Sequence, residues 1–359
     1  MLGGSQMEIT KILEMCVQYN ASDVHIMVGV PPMIRMHGNL LSVPETKAIT
    51  PSQSLEIVNS LLSEQQQELL KVDRELDFSY SLVNGARFRV NVYFEKGNAA
   101  AALRYIPKDI KTLEELHLPE VIGKMTELKQ GLVLVTGPTG HGKSTTLAAM
   151  IARINSTRSE HIVTVEDPIE YVHVPQKSII SQRELHADTH SWGVALKSVL
   201  REDPNVVLIG EMRDYETIEA ARTIAETGHL VLATLHTNSA SQTIDRIVDV
   251  FPEKEQQQIR GQLSLSLEAV ISQRLVPSLD SARVAVAEIL LATPAVRSLI
   301  RDGKSHMLTN VMQTSTDVGM RTLDMALVEA YRAGKISLTI ARDYALNSEE
   351  LNRLVGGSK

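Results

Sequence analysis

The sequence predicts an α/β fold built on a parallel sheet, with a small α+β domain ahead of it and helices behind. Three observations carry that expectation. Between residues 131 and 262 short apolar runs alternate with helical patterns, the rhythm of strand–helix–strand units. A glycine-rich phosphate-binding pattern sits where one of those runs turns into a helix. Before it, residues 86–105 alternate apolar and polar side chains with the period of 2 that marks strands buried on one face.

Composition bounds what the chain can be. With 359 residues, 43 % hydrophobic and 22 % charged, it has apolar side chains for two or three cored domains, which excludes a mainly disordered protein. Its 36 Lys and Arg against 43 Asp and Glu give a net charge of −7, which weighs against a general nucleic-acid binder. No apolar run approaches the ~20 residues of a membrane span, since even Ala285–Val296 is flanked by Arg283 and Arg297 and interrupted by Glu288. Cys16 is the sole cysteine, so an internal disulfide and a multi-cysteine zinc site are both excluded. Residues 1–6 lack a signal peptide's basic start and apolar core, and read as an added leader before a start at Met7. The expected location is the cytoplasm.

Residues 7–106 form the expected N-terminal domain. Ile9, Ile12, Leu13 and Cys16 recur at helical spacing, then Val24–Val28 and Met33–Met36 read as strands, with His37-Gly38-Asn39 turning the chain toward Leu40 and Leu41. Phe88, Val90, Val92 and Phe94 share one face, while Arg87, Arg89, Asn91 and Tyr93 share the other. Gly97-Asn98 returns the chain so that Arg104 lies on the paired strand. That arginine face reads either as a solvated outer surface or as an anion-facing one. Residues 107–130, marked by Pro107 and Pro119, read as a linker.

The core is expected over 131–262. Leu132–Thr136, Ile162–Val165, Val206–Ile209 and Leu230–Leu235 are short buried runs of the parallel-strand type. Lys143–Ile154 is helical; Trp192, Ala195, Leu196, Val199 and Leu200 mark a helix stopped at Asp203-Pro204; and Asp214 caps another. Residues 263–359 read as a helical region, with segments at Leu263–Leu275, Pro294–Asp302, Leu323–Ala333 and Leu338–Ala345.

The chemistry concentrates in Gly137-Pro138-Thr139-Gly140-His141-Gly142-Lys143-Ser144, which matches G-x-x-x-x-G-K-[ST] between a strand and a helix. Glycines let consecutive N–H groups face phosphate oxygens, Lys143 reaches the outer phosphates, and the Ser144 hydroxyl suits Mg²⁺. Thr145 completes the phosphate-binding set, and His141, at a free position, is expected to point outward. Glu211, after the run Val206–Ile209, is placed as the acid near the metal. Glu166, Asp167 and Glu170 follow another strand, and spacing alone does not choose which orients the attacking water. His236 ends the run Leu230–Leu235 beside the expected outer phosphate, while His229 precedes it.

In order along the chain, several blocks resemble the pilus-retraction ATPases of the type II/type IV secretion ATPase superfamily. They are Ser22-Asp23-Val24-His25 with Pro31–Arg35, Gly137–Thr146, Val163–Glu170, Arg201–Pro204, Gly210–Asp214, Glu226–Thr237, Ala295–Arg301 and Gly319–Asp324. The resemblance covers residues 7 to about 345. His141 stands where the family usually has Ser, and Val296 and Ser298 where Ile and Asn are commoner. The resemblance implies a PAS-like N-terminal domain, a RecA-like core, a homohexameric ring with ATP and Mg²⁺ as cofactors, and a location at the cytoplasmic face of the inner membrane against a platform protein. It also implies that Glu170 is the general base, Glu211 the Walker B acid, and His229 and His236 the histidine box. Because ring ATPases commonly supply arginine from a neighbouring subunit, Arg89 and Arg104 are expected to act in trans, with Arg87 a weaker candidate.

The sequence speaks against three alternatives. Extension and secretion ATPases of the superfamily generally add an N-terminal domain and often a four-cysteine zinc module, which a single cysteine cannot supply. A GTPase needs Asn/Thr-Lys-x-Asp, which the chain lacks. A nucleic-acid translocase needs a basic, aromatic-rich track, and four Phe, eight Tyr and one Trp in an acidic chain offer little.

Overall fold

The computed structural model describes residues 4–36, 38–280 and 283–356. Of the expected leader, Met1–Gly3 lie outside the described residues, as does His37 of the expected turn, while Gly4–Gln6 belong to the first helix. The chain divides into two compact units, residues 1–109 with Pro168–Tyr171, and Ile110–Asp167 with residues 172–359.

The first unit runs α1 (Gly4–Gln18), β1 (Asp23–Ile26), β2 (Met33–Met36), β3 (Asn39–Ser42), α2 (Pro51–Leu61), α3 (Glu64–Asp73), β4 (Glu75–Ser81), β5 (Arg87–Glu95) and β6 (Asn98–Ile106). Its six strands form one antiparallel sheet in the order β3-β2-β1-β6-β5-β4. The alternation sets which face is covered: Phe88, Val90 and Val92 are fully buried with Ile9, Leu13 and Cys16 of α1. Burying such side chains is worth ~1.5–3 kcal/mol each, so a one-residue slip of β5, which would expose them and bury the arginines, is strongly disfavoured.

The second unit continues with α4 (Glu120–Met125), β7 (Gly131–Thr136), α5 (Lys143–Thr157), β8 (His161–Glu166), β9 (Ile179–Glu184), α6 (Trp192–Val199), β10 (Val206–Ile209), α7 (Tyr215–Glu226), β11 (Leu230–Leu235), α8 (Ala240–Asp249), α9 (Glu253–Ser266), β12 (Leu267–Pro277), β13 (Arg283–Leu291), α10 (Pro294–Arg301), α11 (Leu308–Thr314), α12 (Leu323–Arg332), α13 (Leu338–Tyr344) and α14 (Ser348–Gly356). Seven strands are ordered β13-β12-β7-β11-β10-β8-β9, parallel except where β13 returns against β12. Every residue of β7, β10 and β11 is buried, because helices cover both faces, and this is why those runs are apolar without alternation. Among the described residues no helix is long and apolar enough to cross a membrane.

The region after residue 263 differs from expectation. Leu263–Leu275 is not one helix: α9 ends at Ser266, and Leu267–Pro277 is a strand paired with β7, followed by β13. Leu267, Ala269, Val270 and Ile271 are buried on both sides of the sheet, and a doubly buried strand has the same unbroken apolar pattern as a buried helix. The helices proper begin at Pro294. Residues 107–130 also carry more structure than a linker, since α4 lies within them and Ile122 and Met125 pack on Met150 and Ile154 of α5.

Candidate functional site

The phosphate loop leaves the carboxyl end of β7 and enters α5 at Lys143. Two of its glycines are required by close approach as well as by backbone. Gly137 has φ +138° and a Cβ there would lie 2.3 Å from the Gln273 carbonyl oxygen; Gly142 has φ +82° and a Cβ would meet Gln273 Nε2 at 2.9 Å. Gly140, with φ +79°, faces open space. Lys143 is almost completely buried, and its Nζ donates to the carbonyls of Gly137 (2.8 Å) and Pro138 (3.0 Å). An anionic phosphate oxygen is a stronger acceptor than either neutral carbonyl. His141 does not point outward: its Nδ1 accepts the Leu275 N–H at 3.0 Å, and Gln273 Nε2 donates to its carbonyl at 2.8 Å.

Glu211 and His236 stand at the same edge of the sheet, just past the ends of β10 and β11. Glu211 Oε1 accepts from Arg213 Nε (2.6 Å) and His236 Nε2 (2.9 Å). On its other side, His236 Nδ1 lies 3.4 Å from both Lys143 Nζ and Thr139 Oγ1. The imidazole therefore bridges the Glu211 carboxylate and the Lys143 ammonium. Burial alone would raise the Glu211 carboxyl, but the Arg213 hydrogen bond and nearby His236 and Lys143 hold it below the usual carboxylate range. Burial, then Lys143 and Arg213, push His236 below the ordinary imidazole value of 6.5 against the pull of Glu211. At neutral pH the ring is uncharged, giving its Nε2 proton to Glu211 and leaving Nδ1 as an acceptor toward Lys143.

A pH dependence follows with a definite sign. A histidine whose folded pKa is depressed contributes stability above its unfolded pKa and loses it as pH falls through the folded value. Protonated His236 would also set a second cation against Lys143. Hydrolysis by the wild-type chain is expected to show an acid limb below pH 6.5 that is absent from His236→Gln; identical pH profiles would contradict this assignment.

The acidic box at the end of β8 is divided. Glu166 Oε1 accepts from Thr164 Oγ1 (2.6 Å) and Gln182 Nε2 (3.2 Å), which ties it to the sheet. Glu170 belongs to the segment grouped with the first unit, and its Oε1 lies 3.9 Å from Arg89 Nη1. On β5 and β6, Arg89 and Arg104 are direct cross-strand partners, and Arg104 is in turn opposite Asp23 of β1. Asp23 Oδ1 accepts from Arg104 Nε at 3.0 Å, and its Oδ2 lies 3.8 Å from Arg35 Nε. Opposed like charges destabilise a sheet pair, and here each arginine has a carboxylate beside it. Arg87 donates to Ser79 Oγ at 2.8 Å.

A family model described as "Type II/IV secretion system protein" matches residues 5–286. The chain belongs to this family. It is 46 % identical over 339 residues to the type IV pilus retraction ATPase PilT of Pseudomonas aeruginosa, covering 94 % of this chain and 98 % of that one. It is 51 % identical over 324 residues to a twitching motility protein of Neisseria gonorrhoeae, covering 89 % and 86 %. The crystal structure of the pilus retraction motor PilT with bound ADP superposes with a TM-score of 0.90 at 42 % identity, covering 96 % of this chain and 99 % of that one.

Within this type II/IV secretion fold, Gly137–Thr145, Glu211 and His236 come together at one edge of the seven-stranded sheet. His229 does not join them. It precedes β11 at the opposite edge, about 20 Å of strand away, and its Nδ1 lies 3.0 Å from the Ile224 carbonyl and 3.2 Å from Thr227 Oγ1 at the end of α7. Sequence reading missed Gln273, whose side chain lies against the phosphate loop, and Arg274, whose Nη2 donates to Asn238 Oδ1 just beyond His236. Neither lies in a nucleotide motif, and both sit in the strand taken for a helix.

Proposed function

We propose that this chain is an ATP-hydrolysing motor that powers type IV pilus retraction, working as a homohexamer against the platform protein at the cytoplasmic face of the inner membrane. The near-full-length match to a pilus retraction ATPase, at 46 % identity with 98 % of that chain covered, carries this reading. The site supports the chemistry. Gly137–Thr145 would cradle the phosphates of ATP, with Lys143 on the outer ones.

Magnesium fits these residues. Among the described residues no three His, Cys, Asp or Glu side chains gather into a metal cage, and Mg²⁺ in phosphate chemistry is held mainly by phosphate oxygens with one or two protein oxygens. Ser144 Oγ would be its protein ligand, with the ionised Glu211 acting through water. When bound, the ion neutralises charge on the transferring phosphoryl group. Glu170 takes the proton of the attacking water.

Arg89 and Arg104 are assigned to the outer phosphate of the next subunit's nucleotide. Their present partners favour exchange: Arg104 is 71 % exposed and Arg89 40 %, and exposed ion pairs are worth only ~0–1 kcal/mol. Co-assembling Lys143→Ala subunits, which keep their arginines, with Arg104→Ala subunits, which keep their phosphate loop, is expected to restore part of the ATPase activity that neither has alone. No recovery, with mixed hexamers demonstrated by a tag on each subunit, would place the arginines in their own chain's site. Full activity of the Arg89→Ala/Arg104→Ala double variant would return both to a solvated surface.

A further inference from the structure

β12 outruns its neighbour. It pairs in parallel with β7 up to Ser272 opposite Thr136, where β7 ends, and then continues through Gln273, Arg274 and Leu275 to Pro277. On its other side β12 stays paired with β13 as far as Pro277, so only along the edge that β7 has left do these residues lie beside the phosphate loop, and the polar groups facing it there need partners other than a ladder. The loop provides them. Gln273 is 2 % exposed and Thr146 1 %; Gln273 Oε1 accepts from Thr146 Oγ1 at 2.7 Å, and its Nε2 donates to the His141 carbonyl at 2.8 Å. Leu275 N–H donates to His141 Nδ1 at 3.0 Å. The Gln273 carbonyl and amide are also the atoms that leave no room for a Cβ at Gly137 and Gly142.

We infer that Gln273 is a positioning residue for nucleotide binding: its buried amide ties the phosphate loop at His141 to the first turn of α5 at Thr146, holding the loop N–H groups turned toward phosphate. The amide is suited to this because it donates at one end and accepts at the other. A carbonyl at residue 141 and a donating hydroxyl at residue 146 are satisfied at once by one planar group, which a carboxylate, having no donor for the carbonyl, cannot do. The glycines free the loop to adopt many shapes, and Gln273, with His141 pinned to Leu275, selects one. Because the same loop shape serves bound ATP and the transition state alike, losing it removes uniform binding, which raises KM and leaves kcat nearly unchanged. Gln273 touches no reacting atom in this account.

The inference rests on the phosphate-loop reading, so the experiment tests both separately. Binding of a fluorescent ATP analogue with Mg²⁺ by the full-length wild-type chain, lost in Lys143→Ala, establishes the reading by itself. Steady-state hydrolysis is then compared for Gln273→Ala, Thr146→Val and Thr146→Ser. The expected result is an apparent KM for Mg-ATP raised about tenfold in the first two, kcat within about threefold of wild type, and a near-wild-type KM for Thr146→Ser, which keeps the hydroxyl. A KM within twofold of wild type in both Gln273→Ala and Thr146→Val overturns the inference. So does a loss of kcat alone, which would mean that the amide only keeps the fold intact. If Gln273→Ala does not fold, the contrast between Thr146→Val and Thr146→Ser decides.

Discussion

Lys143→Ala is expected to abolish Mg²⁺-dependent ATP hydrolysis, a loss of at least about 10³-fold. A single preorganised donor aimed at developing charge is worth ~10²–10³ in rate, and here the group lost is a full cation in a nearly dry site. The loop amides remain but cannot neutralise the transferring phosphoryl group alone. His236 would lose its cationic neighbour at the same time, so its pKa should rise toward the ordinary imidazole range. Malachite-green turnover of the purified chain, with a thermal melt as control for folding, checks the result. Turnover near wild type would remove the phosphate loop from the chemistry.

Glu170→Gln is expected to bind ATP with near-normal affinity and to hydrolyse it 10²–10⁴ times more slowly, the range for losing a general base. That is ~3–5 kcal/mol of barrier, whereas the exposed contact to Arg89 is worth at most ~1 kcal/mol, so the defect should be in rate and not in stability. Glu166 is a poor competitor for this role because Thr164 and Gln182 already occupy its Oε1. Single-turnover hydrolysis after saturating nucleotide separates binding from chemistry. An active Glu170→Gln beside a slow, ATP-binding Glu166→Gln would reverse the assignment.

The phosphate loop and the strands around it are legible because their rules are local. Gly137, Gly140 and Gly142 are glycines for backbone reasons that act within eight residues, and buried parallel strands announce themselves by apolar runs. The alternation from Arg87 to Phe94 likewise orients β5 without knowledge of its partners. What sequence could not give depends on alignment of distant segments. Leu267–Ile271 is strand instead of helix because β7 lies beside it, a pairing across more than 130 residues. Gln273 and the inward turn of His141 depend on that same pairing. The two histidines, by contrast, are separated by a local rule: His229 precedes and His236 follows the apolar run Leu230–Leu235, and that run, extended as β11, sends them to opposite edges of the sheet.

The acidic box shows where residue type runs out. Glu166, Asp167 and Glu170 are chemically near-equivalent in sequence, and only the neighbours, Thr164 and Gln182 for Glu166 and Arg89 for Glu170, tell them apart. The arginine row is similar. Period 2 places Arg89 on the outer face, but the register that sets it against Arg104, and Arg104 against Asp23, comes from two separate strand pairings.

That ATP hydrolysis by this chain drives pilus retraction is checked in cells of the source organism whose only copy of the chain carries Lys143→Ala. Surface pili are counted by electron microscopy, and twitching is measured as colony spreading. Loss of retraction predicts abundant pili and no movement. Few or no pili would contradict it and make the chain an extension motor instead.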